Sequence, residues 1–171
     1  LLEEASYSSD AAAPALSLIR SLPVHLVLCT SKTHAEVLPI QQELGFQNPF
    51  IVENGGAIHL PAASFGNHFL PHNDDHEWTQ IGLGMPYDCL VEFLSEARKE
   101  LSLDVVGFHD LTEEEIAEKC GLSLEQARRA KRRDYDEPFF FTRPAPESVR
   151  KLGIAAAREG RASYGPLAID Q

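Results

Sequence analysis

The sequence predicts an α/β protein, in which a parallel sheet with flanking helices precedes a second module of mixed α+β character. Short apolar runs such as 24–29 and 49–52 alternate with segments of helical spacing, the order that βαβ units produce. The 171 residues are 43% hydrophobic and 24% charged, as in globular chains. Turn-forming residues at Gly82-Leu83-Gly84 separate the two patterns. The predicted domains are therefore residues 1–82 and 83–171.

The front half follows the order helix, strand, helix, strand. The predicted elements are a helix over 11–21, a strand over 24–29, a helix over 34–44, and strands over 49–52 and 57–61. The run 24–29 is almost wholly apolar, which predicts a strand buried on both faces of a parallel sheet. Gly45 predicts the end of the second helix, because glycine adopts the left-handed conformation that closes helices.

The back half has a different pattern. We predict a helix over 87–101, a strand over 104–108, helices from Thr112 and from Ser123 to Arg133, a strand over 139–141 and a helix over 146–152 before Gly153. Thr112 with Glu115, and Ser123 with Gln126, have the spacing of a capping box, in which the side chains of a helix's N-cap and third residue bond each other's backbone.

Charge and composition exclude several classes of protein. Lys and Arg number 15 against 26 Asp and Glu, a net charge of −11, so we expect no nucleic-acid partner. We expect no membrane partner, since no window approaches the roughly 20 apolar residues of a spanning helix. The three cysteines are widely spaced, which favours a reduced cytoplasmic location without structural zinc. Nothing in the sequence indicates which oligomeric state the protein adopts.

The first candidate site follows the strand predicted at 24–29. Thr30, Ser31 and Lys32 lie at its carboxyl end, just before the predicted helix. Hydroxyl donors, a cation and the free N–H groups of a helix start together suit a phosphate. The alternative is that Ser31 or Thr33 only caps the helix.

The second candidate segment follows the next strand. Glu53-Asn54-Gly55-Gly56 comes directly after the run 49–52. The carboxyl ends of neighbouring parallel strands meet at one edge of a sheet, so we expect this segment to line the same crevice as Thr30. The glycines permit close or left-handed backbone. A tight turn into the strand at 57–61 is the alternative.

Two further patterns have weaker support. His72 and His76 flank Asn73-Asp74-Asp75, which suggests a metal site, but a solvated loop explains these residues better. The basic residues between Arg128 and Arg133 form either an anion-receiving surface or a solvated helix face.

Three motifs carry a family resemblance. The stretches 28–33 (LCTSKT), 43–46 (ELGF) and 49–58 (PFIVENGGAI) are similar to those of the mannosyl-3-phosphoglycerate phosphatases. That family belongs to the haloacid dehalogenase superfamily, in the branch with the larger cap. The resemblance implies a partial Rossmann-like core over 1–82 and an α+β cap over 83–171. It places Thr30 at the phosphate-binding position and makes Arg133, Tyr135 and Glu137 cap-side contacts to the substrate.

The resemblance also implies a reaction. A magnesium-dependent enzyme of this kind hydrolyses mannosyl-3-phosphoglycerate, a small phosphorylated sugar, to mannosylglycerate and phosphate through an aspartyl-phosphate. The family's nucleophile lies in an Asp-x-Asp-Gly-Thr-Leu-Leu motif whose end resembles Leu1-Leu2. We therefore expect the catalytic Asp before Leu1, the magnesium ligands outside the chain, and a fragment that is inactive alone. The alternatives are another capped sugar-phosphate phosphatase, or a non-catalytic chain that only binds a phosphosugar.

Overall fold

A computed structural model describes residues 10–62, 77–143 and 145–160. The chain divides into two compact units, Leu1–Ile81 and Gly82–Gln171. Their roles as catalytic core and cap stay predictions.

The first unit is built on a four-stranded sheet with the order β1-β2-β3-β4. Its elements are a 3₁₀ turn at Asp10–Ala12, α1 (Ala13–Arg20), β1 (Leu28–Cys29), α2 (His34–Leu44), β2 (Phe50–Val52), β3 (Ala57–Pro61) and β4 (Trp78–Gly82). Strands β1 and β2 are parallel, and Leu28 pairs with Phe50. Strands β2 and β3 are antiparallel. The parallel pair places the ends of β1 and β2 at the same edge of the sheet.

Helix α2 follows its sequence signals closely. Val37 and Leu44 are buried on its inner face, and Gly45 ends it with a φ of +66°. Pro39 lies inside the helix, although proline usually interrupts one. The prediction of a helix over 34–44 closed by Gly45 is confirmed.

The prediction of a doubly buried strand over 24–29 is wrong. Only Leu28 and Cys29 form a strand, and β1 lies at the edge of the sheet that the described residues form. Val24 and Val27 are 54% and 47% exposed. An apolar run predicts burial on both sides only when other elements cover both faces, and here Leu26 and Leu28 are half-buried while their neighbours in the run are exposed.

The second unit is built on a two-stranded antiparallel sheet. Its elements are α3 (Tyr87–Glu100), β5 (Val105–Gly107), a 3₁₀ turn at Phe108–Asp110, α4 (Glu113–Cys120), α5 (Leu124–Ala130), β6 (Phe139–Phe141) and α6 (Pro146–Arg158). Val105 pairs with Phe141, and Gly107 pairs with Phe139.

Side-chain alternation along β6 gives this small sheet two buried faces. Phe139 and Phe141 pack against one core cluster, whose buried members are Phe93, Leu94, Ala97, Leu103, Val105, Leu152 and Ala156. Phe140 packs against the other, formed by Phe108, Leu111, Ile116, Ala127 and Ala130. Helices α3 and α6 contribute to the first cluster, and α4 and α5 to the second. The sheet is therefore a central layer between two pairs of helices.

Three sequence predictions need correction. The helix from Ser123 ends at Ala130 rather than Arg133. Helix α6 continues through Gly153 to Arg158, because Leu152 and Ala156 are buried on one face of it. Strand β4 was not predicted. The fold class is confirmed as a mixed α/β architecture with a parallel strand pair. Within the described residues, no helix has the length and apolar character needed to cross a membrane.

Candidate functional site

The loops that follow β1 and β2 are bonded to each other through their backbones. The Thr30 N–H donates to the Ile51 carbonyl at 3.1 Å, which extends the pairing of the two strands. The Asn54 N–H donates to the Thr30 carbonyl at 3.1 Å, and the Glu53 N–H donates to the Lys32 carbonyl at 3.0 Å. The structure thus brings together the two segments that the sequence analysis singled out. Their roles in binding stay predictions.

The hydroxyl that caps α2 belongs to Thr33. Its Oγ1 accepts the Glu36 N–H at 3.2 Å, while the Glu36 carboxylate accepts the Thr33 N–H at 2.9 Å. Thr33 is fully buried. The capping interpretation therefore holds for Thr33.

Thr30 and Ser31 present their hydroxyls differently. Thr30 Oγ1 accepts the Lys32 N–H at 3.2 Å, which leaves the hydroxyl its own proton to donate. Thr30 is half-buried and Ser31 is exposed. A hydroxyl that is held by its acceptor side and free to donate suits an anionic oxygen.

Lys32 adds a positive charge beside these hydroxyls. Its Nζ lies 3.3 Å from Glu36 Oε1, and the two side chains are 22% and 10% exposed. Glu36 therefore bonds both the helix cap and the lysine. Glu36 was not predicted, although Thr33-x-x-Glu36 has the same spacing as the two capping boxes predicted from the sequence.

The loop after β2 has an unusual backbone. Glu53 and Asn54 have φ values of +50° and +57°, and Gly55 follows with +96°. Such conformations cost on the order of 1 kcal/mol or more for residues with a Cβ and often occur at functional sites. Glycine provides only part of the left-handed backbone predicted here, because Gly56 is right-handed. Asn54 is exposed, whereas Glu53 is 3% exposed, so Asn54 presents its amide at the surface.

A stack of aromatic rings fastens the start of α2 to the sheet. The His34 ring lies 4.3 Å from the His59 ring and 5.6 Å from Phe50, centroid to centroid. Trp78 packs edge-on against Phe50 at 5.0 Å. Burial, and secondarily the nearby His34, lowers the pKa of His59 to about 4. Sequence reasoning missed this cluster, because its members come from four separate elements.

In the second unit, the Arg133 side chain bonds and packs against other residues of the same unit. Its side chain is 8% exposed and pairs with Asp136 at 3.1 Å. Its Nε donates to the Ala130 carbonyl at 3.0 Å, and its guanidinium lies 5.6 Å from the centre of the Phe108 ring. Tyr135 is half-buried. The predicted substrate contacts of Arg133 and Tyr135 stay predictions.

Glu137 lies beneath the backbone of β5. It is 9% exposed, and its Oε1 accepts the His109 N–H at 3.0 Å. Burial raises the pKa of this carboxyl, while the Tyr87 hydroxyl, the His109 N–H and Arg133 oppose that shift. A Cβ at Gly107 would overlap Glu137 Oε1, so glycine is needed there for this approach. Its substrate contact also stays a prediction.

The basic stretch from Arg128 to Arg133 is largely neutralised. Arg128 pairs with Glu113 and Arg129 with Glu125, and Lys131 donates to the Leu111 carbonyl. These pairings favour the solvated helix face over an anion-receiving surface.

The structure describes no metal centre. Among residues 10–62, 77–143 and 145–160, no group of three or more His, Cys, Asp or Glu side chains converges on one point. His72 and His76 lie outside the described residues.

Comparison with known proteins agrees with the fold class. Residues 1–80 match the family described as haloacid dehalogenase-like hydrolase. The first unit is therefore similar to that class of hydrolases, as the family resemblance predicted.

Two similar proteins carry names that are more specific than the description of the family. The chain is 37% identical over 167 residues to a glucosyl-3-phosphoglycerate/mannosyl-3-phosphoglycerate phosphatase of Methanococcoides burtonii, covering 94% of this chain and 61% of the relative. A phosphatase of the same name from Persephonella marina is 35% identical over 160 residues, covering 94% and 58%. The chain is thus a relative of these phosphatases and spans about three fifths of their length. The predicted resemblance is confirmed.

Proposed function

We propose that the protein containing this chain is a magnesium-dependent phosphatase of mannosyl-3-phosphoglycerate, and of its glucosyl analogue, acting in the cytoplasm. Relatedness over 94% of the chain to phosphatases named for both sugars supports the substrate class. The observation that carries the proposal is the direct bonding of the Thr30 loop to the Asn54 loop, at the ends of parallel strands. Three cysteines without disulfides are consistent with a reducing compartment.

In this proposal the described residues bind and orient the phosphoryl group. Thr30 and Ser31 donate O–H bonds to its oxygens, Lys32 adds positive charge, and the amide of Asn54 bonds the same substrate. An Asp outside the described residues attacks phosphorus, and the ester oxygen leaves with a proton from an acid. Water then attacks the aspartyl-phosphate and releases inorganic phosphate. Magnesium would neutralise phosphate charge, and we propose that its ligands also lie outside the described residues.

The test is phosphate release by the protein expressed from its full open reading frame. Mannosyl- and glucosyl-3-phosphoglycerate are compared with 3-phosphoglycerate and mannose 6-phosphate, with magnesium and with a chelator. We expect release from the two glycosyl esters, slower release from the simple esters, and none with the chelator. Residues 1–171 alone should release none. Equal rates on all four esters would favour a broader sugar-phosphate phosphatase, and no release from any would favour a non-catalytic binder.

A further inference from the structure

Three helices among the described residues begin with the same capping motif. Helices α2, α4 and α5 each start with a capping box, in which the N-cap hydroxyl and the side chain of the third helical residue bond each other's backbone. The pairs are Thr33 with Glu36, Thr112 with Glu115, and Ser123 with Gln126. Their N-cap residues share one backbone conformation, with φ of −75°, −75° and −66°. The boxes are close enough in geometry to serve as controls for one another.

The residue before the box distinguishes α2. Leu111 and Leu122 precede the boxes of α4 and α5, as is usual where an apolar side chain packs back on the helix. Lys32 holds this position before α2. A cation beside a helix N-terminus is disfavoured, because that end of the helix carries partial positive charge. The lysine therefore concentrates positive potential next to Thr30 and Ser31.

Glu36 offsets that cost with an oxygen that the cap does not use. Glu36 Oε2 accepts the Thr33 N–H, and Oε1 faces Lys32 Nζ at 3.3 Å. In the α4 box, Glu115 Oε2 makes the equivalent bond to the Thr112 N–H at 2.7 Å. Glu115 has no ion pair within the part of the chain that the structure describes. The lysine pair is therefore an addition to the box and not a consequence of it.

We propose that Glu36 is a positioning residue that binds Lys32 while the site is empty and competes with phosphate for it. This inference rests on the proposed function, in which Lys32 binds the phosphoryl group. Glu36 holds the ammonium at the start of α2, and a bound phosphate takes over part of that interaction. Glu36 thereby lowers the affinity for inorganic phosphate and speeds its departure as product.

The test is binding of inorganic phosphate, by isothermal titration calorimetry at low ionic strength, to the full-length protein. Glu36→Gln keeps a side chain that can complete the box, as Gln126 does in α5, but removes the charge. We expect it to bind phosphate about two- to five-fold more tightly, in line with the strength of partly exposed ion pairs. Glu115→Gln makes the same change in the α4 box and should leave the affinity unchanged. Lys32→Ala should weaken binding, and Glu36→Gln should add little in that background.

A purely structural role for Glu36 predicts the opposite sign, because loosening the start of α2 would weaken phosphate binding. Unchanged or weaker binding by Glu36→Gln overturns the inference, as does undiminished tightening in the Lys32→Ala background or failure of Lys32→Ala to weaken binding. A wild-type protein that binds no phosphate also overturns it. Hydrolysis of mannosyl-3-phosphoglycerate is measured on the same preparations. The expected binding pattern without hydrolysis contradicts only the proposed function, whereas hydrolysis without the binding pattern contradicts only the role of Glu36.

Discussion

The two units use similar polar residues in opposite ways. In the first unit, Thr30, Ser31 and Asn54 are wholly or partly exposed at the ends of neighbouring strands. In the second, Arg133 and Glu137 are buried and bonded to groups of the same unit. A polar residue after a strand is therefore not by itself evidence of a site. Exposure, and a place at the ends of parallel strands, distinguish the residues of the first unit from those of the second.

The largest effect that tests this comparison is loss of the Thr30 hydroxyl. Thr30→Val in the full-length protein should lower kcat for phosphate release by about 10²-fold, as does loss of one well-placed donor elsewhere. Thr142→Val is the matched control in the second unit, where the exposed hydroxyl lies 3.3 Å from the Asp104 carbonyl. It should leave turnover unchanged. Equal losses in both variants, or in neither, would contradict the contrast between the units.

Acid should destabilise the first unit through His59. Burial lowers the pKa of this side chain from 6.5 to about 4. Between these two pH values His59 is therefore protonated in the unfolded chain and neutral in the folded chain. The contribution of His59 to the free energy of unfolding is therefore constant above pH 6.5. It becomes less favourable towards pH 4, by up to about 3 kcal/mol at 1.36 kcal/mol per pKa unit. Urea unfolding, followed by the fluorescence of Trp78, measures it, since Trp78 packs on Phe50 in the same cluster.

His59→Phe should abolish most of this loss, because a ring remains in the stack without a titratable group. His109→Gln, at an exposed side chain of the second unit, should keep the wild-type loss. The same acid lability in His59→Phe as in the wild type would show that other groups control it.

Close packing in the second unit predicts a smaller effect. Gly107→Ala places a Cβ against Glu137 Oε1 and 2.9 Å from Leu94 Cδ2. It should lower the free energy of unfolding by about 2 kcal/mol, a usual cost of overpacking. Gly153→Ala, within α6, meets no atom within 4 Å and should instead stabilise by about 0.5–1 kcal/mol. Denaturant unfolding followed by circular dichroism compares them, and equal effects of the two substitutions would contradict the packing argument.

Local sequence signals predicted most of the elements. The bounds of α2 and its end at Gly45 follow from spacing and a single glycine, and Phe139–Phe141 follows from a β-prone run. The burial of 24–29 could not be predicted, because it depends on which elements cover the strand. The extension of α6 past Gly153 could not be predicted either, since packing of Leu152 and Ala156 outweighs the low helix propensity of one glycine.

The candidate site was predictable to the extent that topology determines it. Because β1 and β2 are parallel, their ends must meet, and Thr30 and Asn54 do. The packing of His34 on His59 depends on tertiary contacts between separate elements, which no local pattern records. The role of Glu36 in the capping box could have been predicted, since the Thr-x-x-Glu spacing is present in the sequence. Its bond to Lys32 depends on side-chain conformation, which the spacing does not determine.

The smallest expected effect concerns Glu137, and it tests whether that carboxyl serves the fold of the second unit. Burial raises its pKa in the folded chain, so between the unfolded and folded values the folded chain binds more protons. The carboxyl should therefore contribute stability as the pH falls through the folded value, and Glu137→Gln lacks that contribution. Urea unfolding at pH 8 and pH 5 should show that, on acidification, the free energy of unfolding of the variant decreases relative to that of the wild type. Glu118→Gln, at an exposed position of α4, is the control and should follow the wild type at both pH values. A constant difference between Glu137→Gln and the wild type would mean that the carboxyl titrates alike in the folded and unfolded chains, and would contradict the effect of burial on its pKa.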